Sequence, residues 1–312
     1  MDLHMIEKYF FGYADVEEID GYYVLRRFNK EQMQYYVEQD YVSNSKYPAG
    51  VVLRAKNCDK IQFDVKCFGF SQFNKEKKYV IDVISDNELI ISKGFPGETQ
   101  GFSFNFGNKE VVLNFPYDAE IGIKNIVVVG EENPPCGTAL CFGDSITQGF
   151  MTHSHSHSYP SVLARELNLD VHNFGIGGFH FERGILRGIE EYGKPEFISV
   201  AYGTNDWNFE ENYEEEIQII FKTLNEKYPE IPVFVILPLP RKTEKDVKKS
   251  GVLEDVRIRI KEEAEKYKNF NVLRFTDEIE VERDLCEDFI HPNDEGMKRF
   301  AKLVLDEIKQ KL

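Results

Sequence analysis

The sequence predicts a two-part chain: an all-β sandwich of jelly-roll type, then an α/β half built on a parallel sheet. Three observations predict it. Up to about residue 130, apolar residues recur at every second position. Beyond residue 134, short apolar runs alternate with segments of helical period. Between the two stands Glu131-Glu132-Asn133-Pro134-Pro135-Cys136-Gly137, whose paired prolines continue neither a ladder nor a helix. The expected domains are 1–133 and 134–312.

In the first half, Ile61, Phe63, Val65 and Cys67 alternate with Gln62, Asp64 and Lys66. Phe102, Phe104 and Phe106 repeat the pattern, and Ile121, Ile123 and the run 126–129 close it. Helical pattern is nearly absent, apart from a short turn near Glu31 to Tyr36. In the second half the predicted strands are 139–142, 171–174, 197–202, 233–237 and 272–275. Helical faces run through Ile217, Ile220, Phe221 and Leu224 within 212–228, then through Val252, Val256, Ile260 and Ala264. A last one, Met297, Phe300, Ala301, Val304 and Ile308, has Asn293 placed as its N-cap. Alternating β and α over this length argues a doubly wound parallel sheet with helices on both faces. Ligands of such folds bind at the carboxyl ends of the strands.

Bulk properties narrow the function. With 54 acidic against 38 basic residues, the net charge of -16 argues against nucleic acid or anionic membrane as a partner. It suits a soluble enzyme with a neutral or cationic substrate. No stretch approaches the roughly 20 apolar residues of a membrane span. The first residues lack a basic segment followed by an apolar core, so a cytoplasmic location is expected. Five scattered cysteines without CxxC spacing read as free thiols.

Four short segments carry chemistry, and each falls at a predicted strand end or loop. Gly143-Asp144-Ser145 places a serine before a turn into helix, where it is either an exposed nucleophile or a helix cap. Asp288-Phe289-Ile290-His291-Pro292 places an aspartate three residues before a histidine. In a turn, that carboxylate takes the imidazole Nδ1–H and leaves Nε2 free to accept a serine proton. Asn173-Phe174-Gly175-Ile176-Gly177-Gly178 and Gly203-Thr204-Asn205-Asp206 supply donors for a tetrahedral oxyanion. Alone, the glycines fit a tight turn and Asn205 fits a loop cap. Asp206 reads as a brace for its loop.

In this order the four segments resemble the SGNH (GDSL-type) hydrolase family, matching its first, second, third and fifth blocks over residues 137–312. The resemblance implies a three-layer α/β fold of flavodoxin-like strand order. It implies Ser145 as nucleophile, His291 as base and Asp288 as its partner. The oxyanion hole would be the N–H groups of Ser145 and Gly178 with the Asn205 amide, Gly178 being favoured over the adjacent Gly177. No metal or organic cofactor is implied. The first half looks like the small β-sandwich that precedes this domain in some bacterial carbohydrate esterases, through Pro48-Ala49-Gly50-Val51-Val52-Leu53-Arg54 and Leu113-Asn114-Phe115-Pro116-Tyr117.

The expected reaction is hydrolysis of short acyl esters, acetyl above all, on a small molecule or oligosaccharide. Trp207, with Phe209 two residues on, offers a ring for sugar stacking or for core packing, and Gly177 is a further candidate contact. The alternatives are a lysophospholipase or thioesterase of the same machinery, or a non-catalytic carbohydrate-binding protein. His153, His155 and His157 read as a polar loop at the site entrance rather than a metal site. The segments 210–216 and 242–249 read as solvated charge. A homo-oligomer is compatible with all of this.

Overall fold

The period-2 stretches of the first half form strands, as seen in a computed structural model that describes residues 2–39, 42–208 and 213–312. The strands are β1 (Phe10–Phe11), β2 (Asp15–Ile19), β3 (Tyr22–Arg26), β4 (Val52–Phe70), β5 (Lys78–Ser85), β6 (Glu88–Pro96), β7 (Gln100–Asn114) and β8 (Ala119–Glu132). Among the described residues they make one eight-stranded sheet, ordered β2-β3-β8-β4-β7-β5-β6 with β1 beside β4. The alternation in β4 puts Ile61, Phe63 and Val65 into the core with Phe102, Ile121 and Ile123. Register shifts along β4 mark bulges, which bend a strand and raise its twist. Phe95 on β6 meets Phe102 on β7 edge-on, with ring centroids 4.6 Å apart. Strands two apart in a flat sheet lie about 10 Å from one another, so the sheet curls over its core, as a sandwich does.

Helices in this half exceed the expectation. The turn foreseen near residues 31–36 is α2 (Lys30–Glu38), closed by a capping box between Asn29 and Gln32. A helix α1 (Asp2–Tyr9) precedes it, and a short α3 (Val42–Ser45) follows. Helix α1 buries only Ile6 and Tyr9, too few apolar positions to announce a helical face.

The chain divides into two compact units, Met1–Cys136 with His153–Ser156 and Asp170–His172, and Gly137–Thr152 with His157–Leu169 and Asn173–Leu312. The histidine tract therefore departs from the entrance loop that was expected. Ser154 Oγ and Ser156 N–H both donate to Asp82 Oδ2, at 2.7 and 2.8 Å. His155 is 1% exposed, and its Nε2 accepts the Gly50 N–H at 2.9 Å. Alternate serines hold the segment in place because a buried carboxylate needs donors.

A five-stranded sheet is made of β9 (Thr138–Gly143), β10 (Asp170–Gly175), β11 (Phe197–Ala201), β12 (Val233–Ile236) and β13 (Phe270–Leu273). Their order, β10-β9-β11-β12-β13, is 2-1-3-4-5 counted from β9, the flavodoxin-like arrangement. β9 pairs parallel with β11, β11 with β12, and β12 with β13. Every residue of β12 is buried, the mark of a strand covered on both faces. The helices are α4 (Ser145–Gln148), α5 (Tyr159–Glu166), α6 (Tyr213–Lys227), α7 (Leu253–Ala264), α8 (Val281–Asp284) and α9 (Asp294–Lys309). Helices α5 and α9 pack together, as do α6 and α7. Asn293 caps α9 by accepting the Gly296 N–H at 2.9 Å. The last strand begins two residues before the expected run, because Phe270 joins the ladder opposite Val233. Cys58, Cys67, Cys136, Cys141 and Cys286 are free thiols. Among the described residues, no helix is long and apolar enough to cross a membrane.

Candidate active site

Three strand ends and one loop build the site. β9 ends at Gly143; Asp144 then caps α4, accepting the Ile146 N–H at 2.9 Å. That makes Ser145 the first residue of a one-turn helix, which Gly149 closes in the left-handed conformation. The glycines allow this close packing. A Cβ on Gly143 would lie 1.9 Å from Thr147 Oγ1, and one on Gly175 would lie 2.2 Å from the Gln148 nitrogen. Asn173, fully buried, ties the second segment to the same helix, donating to Thr147 O at 2.9 Å and accepting the Gly175 N–H at 2.9 Å.

The loop after α8 presents the histidine. Cys286 N–H donates to His291 O at 2.8 Å, and Leu285 bridges Pro292, so the segment closes as a narrow hairpin. Asp288 Oδ1 accepts the backbone N–H groups of Ile290 and His291, at 2.9 and 3.1 Å. Its Oδ2 lies 2.6 Å from His291 Nδ1. With the proton on Nδ1, Nε2 is left as an acceptor, and it stands 2.7 Å from Ser145 Oγ. Phe150 packs edge-on against the imidazole, ring centroids 4.9 Å apart. Burial pushes the His291 pKa down; hydrogen bonding and charge from Asp288 pull it up in part, and Arg241 pushes it down again. Burial raises the Asp288 carboxyl, but the His291 side chain and the two backbone donors together hold it below its ordinary value.

The donors expected for an oxyanion face differ in their commitments. Gly177 N–H donates to Gln148 Oε1 at 2.7 Å. Gly178, at φ +81°, is exposed, and its N–H has no partner among the described residues. The same holds for the N–H of Ser145. Asn205 Nδ2 donates to Phe179 O at 2.7 Å, which uses one of its two hydrogens.

Beneath these groups lie two buried carboxylates and one arginine. Burial pushes both Asp144 and Asp206 up to about 7, and the charge of Asp206 raises Asp144 further. Asp206 Oδ1 accepts the Phe181 N–H at 3.0 Å, the bracing role expected of it. Arg241, on the loop after β12, donates from Nη1 to Thr204 O at 3.0 Å, one residue before Asn205. Its charge acts on Asp144 and on Asp288. Sequence reasoning missed Arg241, Gln148 and Phe150. Only their places in the fold mark them, since a single Arg, Gln or Phe carries no pattern.

Trp207 is not where sugar stacking requires it. It is 1% exposed, its Nε1–H donates to Gly251 O at 2.8 Å, and Arg241 and Lys248 each stand 5.4 Å from its ring. A tryptophan with its N–H satisfied and its ring enclosed packs the loop instead. Phe209 and residues 210–212 lie outside the described residues.

A serine, an imidazole and a carboxylate in hydrogen-bonded line, at the strand ends of a 2-1-3-4-5 sheet, make the arrangement of a serine hydrolase of the α/β class. The chain belongs to the GDSL-like lipase/acylhydrolase family, whose model matches residues 141–299. It is a carboxylic ester hydrolase of that family. No curated protein matches it. Among solved structures it is similar to the salicylyl-acyltransferase SsfX3 from a tetracycline biosynthetic pathway, with a TM-score of 0.81, 17% identity, and coverage of 96% of this chain and 94% of that one. It is similar to a family two carbohydrate esterase from Clostridium thermocellum, with a TM-score of 0.64, 15% identity, and coverage of 84% and 91%. An acetyl xylan esterase, Est2A, from Butyrivibrio proteoclasticus gives a TM-score of 0.62, 14% identity, and coverage of 97% and 95%. At such identities these likenesses speak to the fold alone, and they span both halves of the chain.

Proposed function

We propose that the protein is a serine esterase that removes short acyl groups, acetyl first, from a carbohydrate or similar polyol, through Ser145, His291 and Asp288. The observation that carries the reading is the continuous line from Ser145 Oγ to His291 Nε2 at 2.7 Å and from Nδ1 to Asp288 Oδ2 at 2.6 Å. Ser145 Oγ attacks the acyl carbon while its proton passes to Nε2. The carbonyl electrons move to oxygen, where the N–H groups of Ser145 and Gly178 and the free Asn205 hydrogen donate. Each such donor lowers the barrier by about 3 kcal/mol. The carbonyl then reforms, the alkoxide leaves with the proton from Nε2, and a water deprotonated by His291 releases the acid from the serine.

Short acyl chains are favoured by what surrounds the serine. Ser145 is only 6% exposed, and Phe150 stands edge-on against the imidazole beside it, so the acyl group must reach a recessed hydroxyl. A sugar alcohol is favoured by the likeness to esterases whose names state carbohydrate or xylan. With Trp207 enclosed, the sugar would be held by polar contacts rather than by that ring.

The test is acetate release from acetylated xylo-oligosaccharides, beside p-nitrophenyl esters of increasing chain length, with Ser145→Ala as control. Release that depends on Ser145 and falls steeply beyond short chains is expected. Turnover that rises with chain length would move the assignment to a lipid or thioester hydrolase. Undiminished turnover in Ser145→Ala would remove the serine from the mechanism.

A further inference from the structure

The basic run after β12 does more than solvate the surface. Residues 241–249 carry five basic and two acidic side chains in a chain of net charge -16. Some of these charges are spoken for. Glu244 pairs with Arg257 at 3.0 Å, and Lys242 lies 3.5 Å from Glu282 and 3.9 Å from the Phe289 ring centroid. Two are not. Among the described residues, neither Arg241 nor Lys248 forms an ion pair, although both flank Trp207 at 5.4 Å.

Arg241 is the more telling of the two. A guanidinium stays ionised at any physiological pH. Half-buried and in no ion pair among the described residues, it carries a desolvation cost that the more distant charges of Asp144 and Asp288 offset only in part. Nη1 is committed to Thr204 O, Nε is buried without a partner, and Nη2 has none among the described residues. The bond to Thr204 and the ring of Trp207 fix where the cation sits, on the loop that bears Asn205. Its field reaches Asp144 and Asp288, which stand on either side of the reacting serine and histidine.

We infer that Arg241, supported by Lys248, anchors an anionic group of the ester substrate, a carboxylate borne on the alcohol or on the acyl part. The inference rests on the esterase reading and narrows it. An O-acetylated acidic sugar, or another acylated alcohol with a carboxylate, is the class that satisfies both. The overall negative charge, which suits neutral or cationic substrates, is overruled at the mouth by a local positive field. A carboxylate gains charge-assisted hydrogen bonds there that a neutral isostere lacks.

The experiment compares two matched pairs. On the alcohol side, 3-acetoxybenzoate is set against 3-acetoxybenzamide. On the acyl side, 4-nitrophenyl hydrogen adipate is set against its amide, 4-nitrophenyl adipamate. The p-nitrophenyl acetate rate of the same preparation reports on the esterase reading itself. In one pair or the other, kcat/KM is expected to favour the anion by roughly tenfold or more, less so in 0.5 M salt as screening shortens the field's reach. Arg241→Gln brings that ratio to within about twofold of unity; Arg241→Lys, which keeps the charge but not the fork, leaves an intermediate ratio. Lys309→Gln, a remote exposed cation, leaves it unchanged. Wild-type enzyme active on p-nitrophenyl acetate but indifferent to charge in both pairs overturns the role of Arg241. So does a preference that survives in Arg241→Gln. An enzyme inert to p-nitrophenyl acetate overturns the esterase reading, and this inference with it.

Discussion

Asp288 divides its two oxygens between two tasks. Oδ1 takes the backbone of Ile290 and His291 and so shapes the loop; Oδ2 takes the imidazole and so sets its tautomer. Replacing it by asparagine keeps an acceptor for the backbone but sets an amide against Nδ1, where the wrong tautomer is then favoured. Asp288→Asn is expected to lower kcat by roughly 10²- to 10⁴-fold with little change in thermal midpoint, read by kinetics beside calorimetry. A second expectation concerns pH. His291 accepts a proton only when neutral, and its pKa lies below 6.5, chiefly through burial. The acid limb of kcat/KM against pH should have its midpoint below 6.5, and Arg241→Gln should move it to higher pH, because one cation no longer opposes the imidazolium. A limb above 6.5 in the wild type would contradict this account. At this scale, Ser145 and His291 were legible because each sits in a short, ordered segment. Trp207 was not, because a sequence does not say whether a ring beside a loop faces solvent or core.

Elements act here by bringing strand ends together. The 2-1-3-4-5 order sets β9 between β10 and β11, so Ser145, Gly178 and Asn205 leave adjacent strands. Helix α4 is a single turn, and the backbone of β10 presses against it at Gly175. Gly175→Ala would force a methyl into the 147–148 backbone, which cannot give way as a side-chain tip can. Such overpacking costs about 1–3 kcal/mol and displaces the serine. Loss of activity larger than the fall in thermal midpoint accounts for is expected; an alanine variant with wild-type turnover would show that α4 is not held this way. The parallel strands were legible from their continuous apolar runs, and α9 from its period and its Asn293 cap. Helix α1 was not, with two buried residues in eight positions. The start of β13 was shifted because Asn271 breaks the apolar run without breaking the ladder.

Across the whole molecule, buried ionisable groups set how stability responds to pH. Burial holds His155 neutral, at about 3, whereas the unfolded chain titrates near 6.5. The unfolded state therefore binds the extra proton first, and stability falls as pH drops from 6.5 towards 3, by about 1.4 kcal/mol per pH unit for one such group. Asp144 and Asp206, raised by burial to about 7, act with the opposite sign on pH. Their folded forms hold protons that the unfolded chain has lost above about 4, so stability also falls as pH rises from 4 to 7. His155→Gln, which keeps an acceptor for Gly50 N–H, should lessen the loss of thermal midpoint between pH 6 and pH 4; an unchanged slope would mean that His155 is not held neutral. The division into an antiparallel and a parallel half was legible at this scale because period 2 gives way to runs and helical period at the paired prolines. The seating of His155 was not, since it depends on Asp82 and Gly50, distant in sequence.

The proposed esterase activity requires Ser145 to be a nucleophile activated by His291. The most direct measurement is mass spectrometry of the chain after treatment with a fluorophosphonate, in wild type, Ser145→Ala and His291→Ala. One adduct per chain, mapped to the peptide bearing Ser145, absent in the first variant and slowed at least about a hundredfold in the second, is predicted. An adduct on another serine, or an active esterase that takes no label at Ser145, would contradict it.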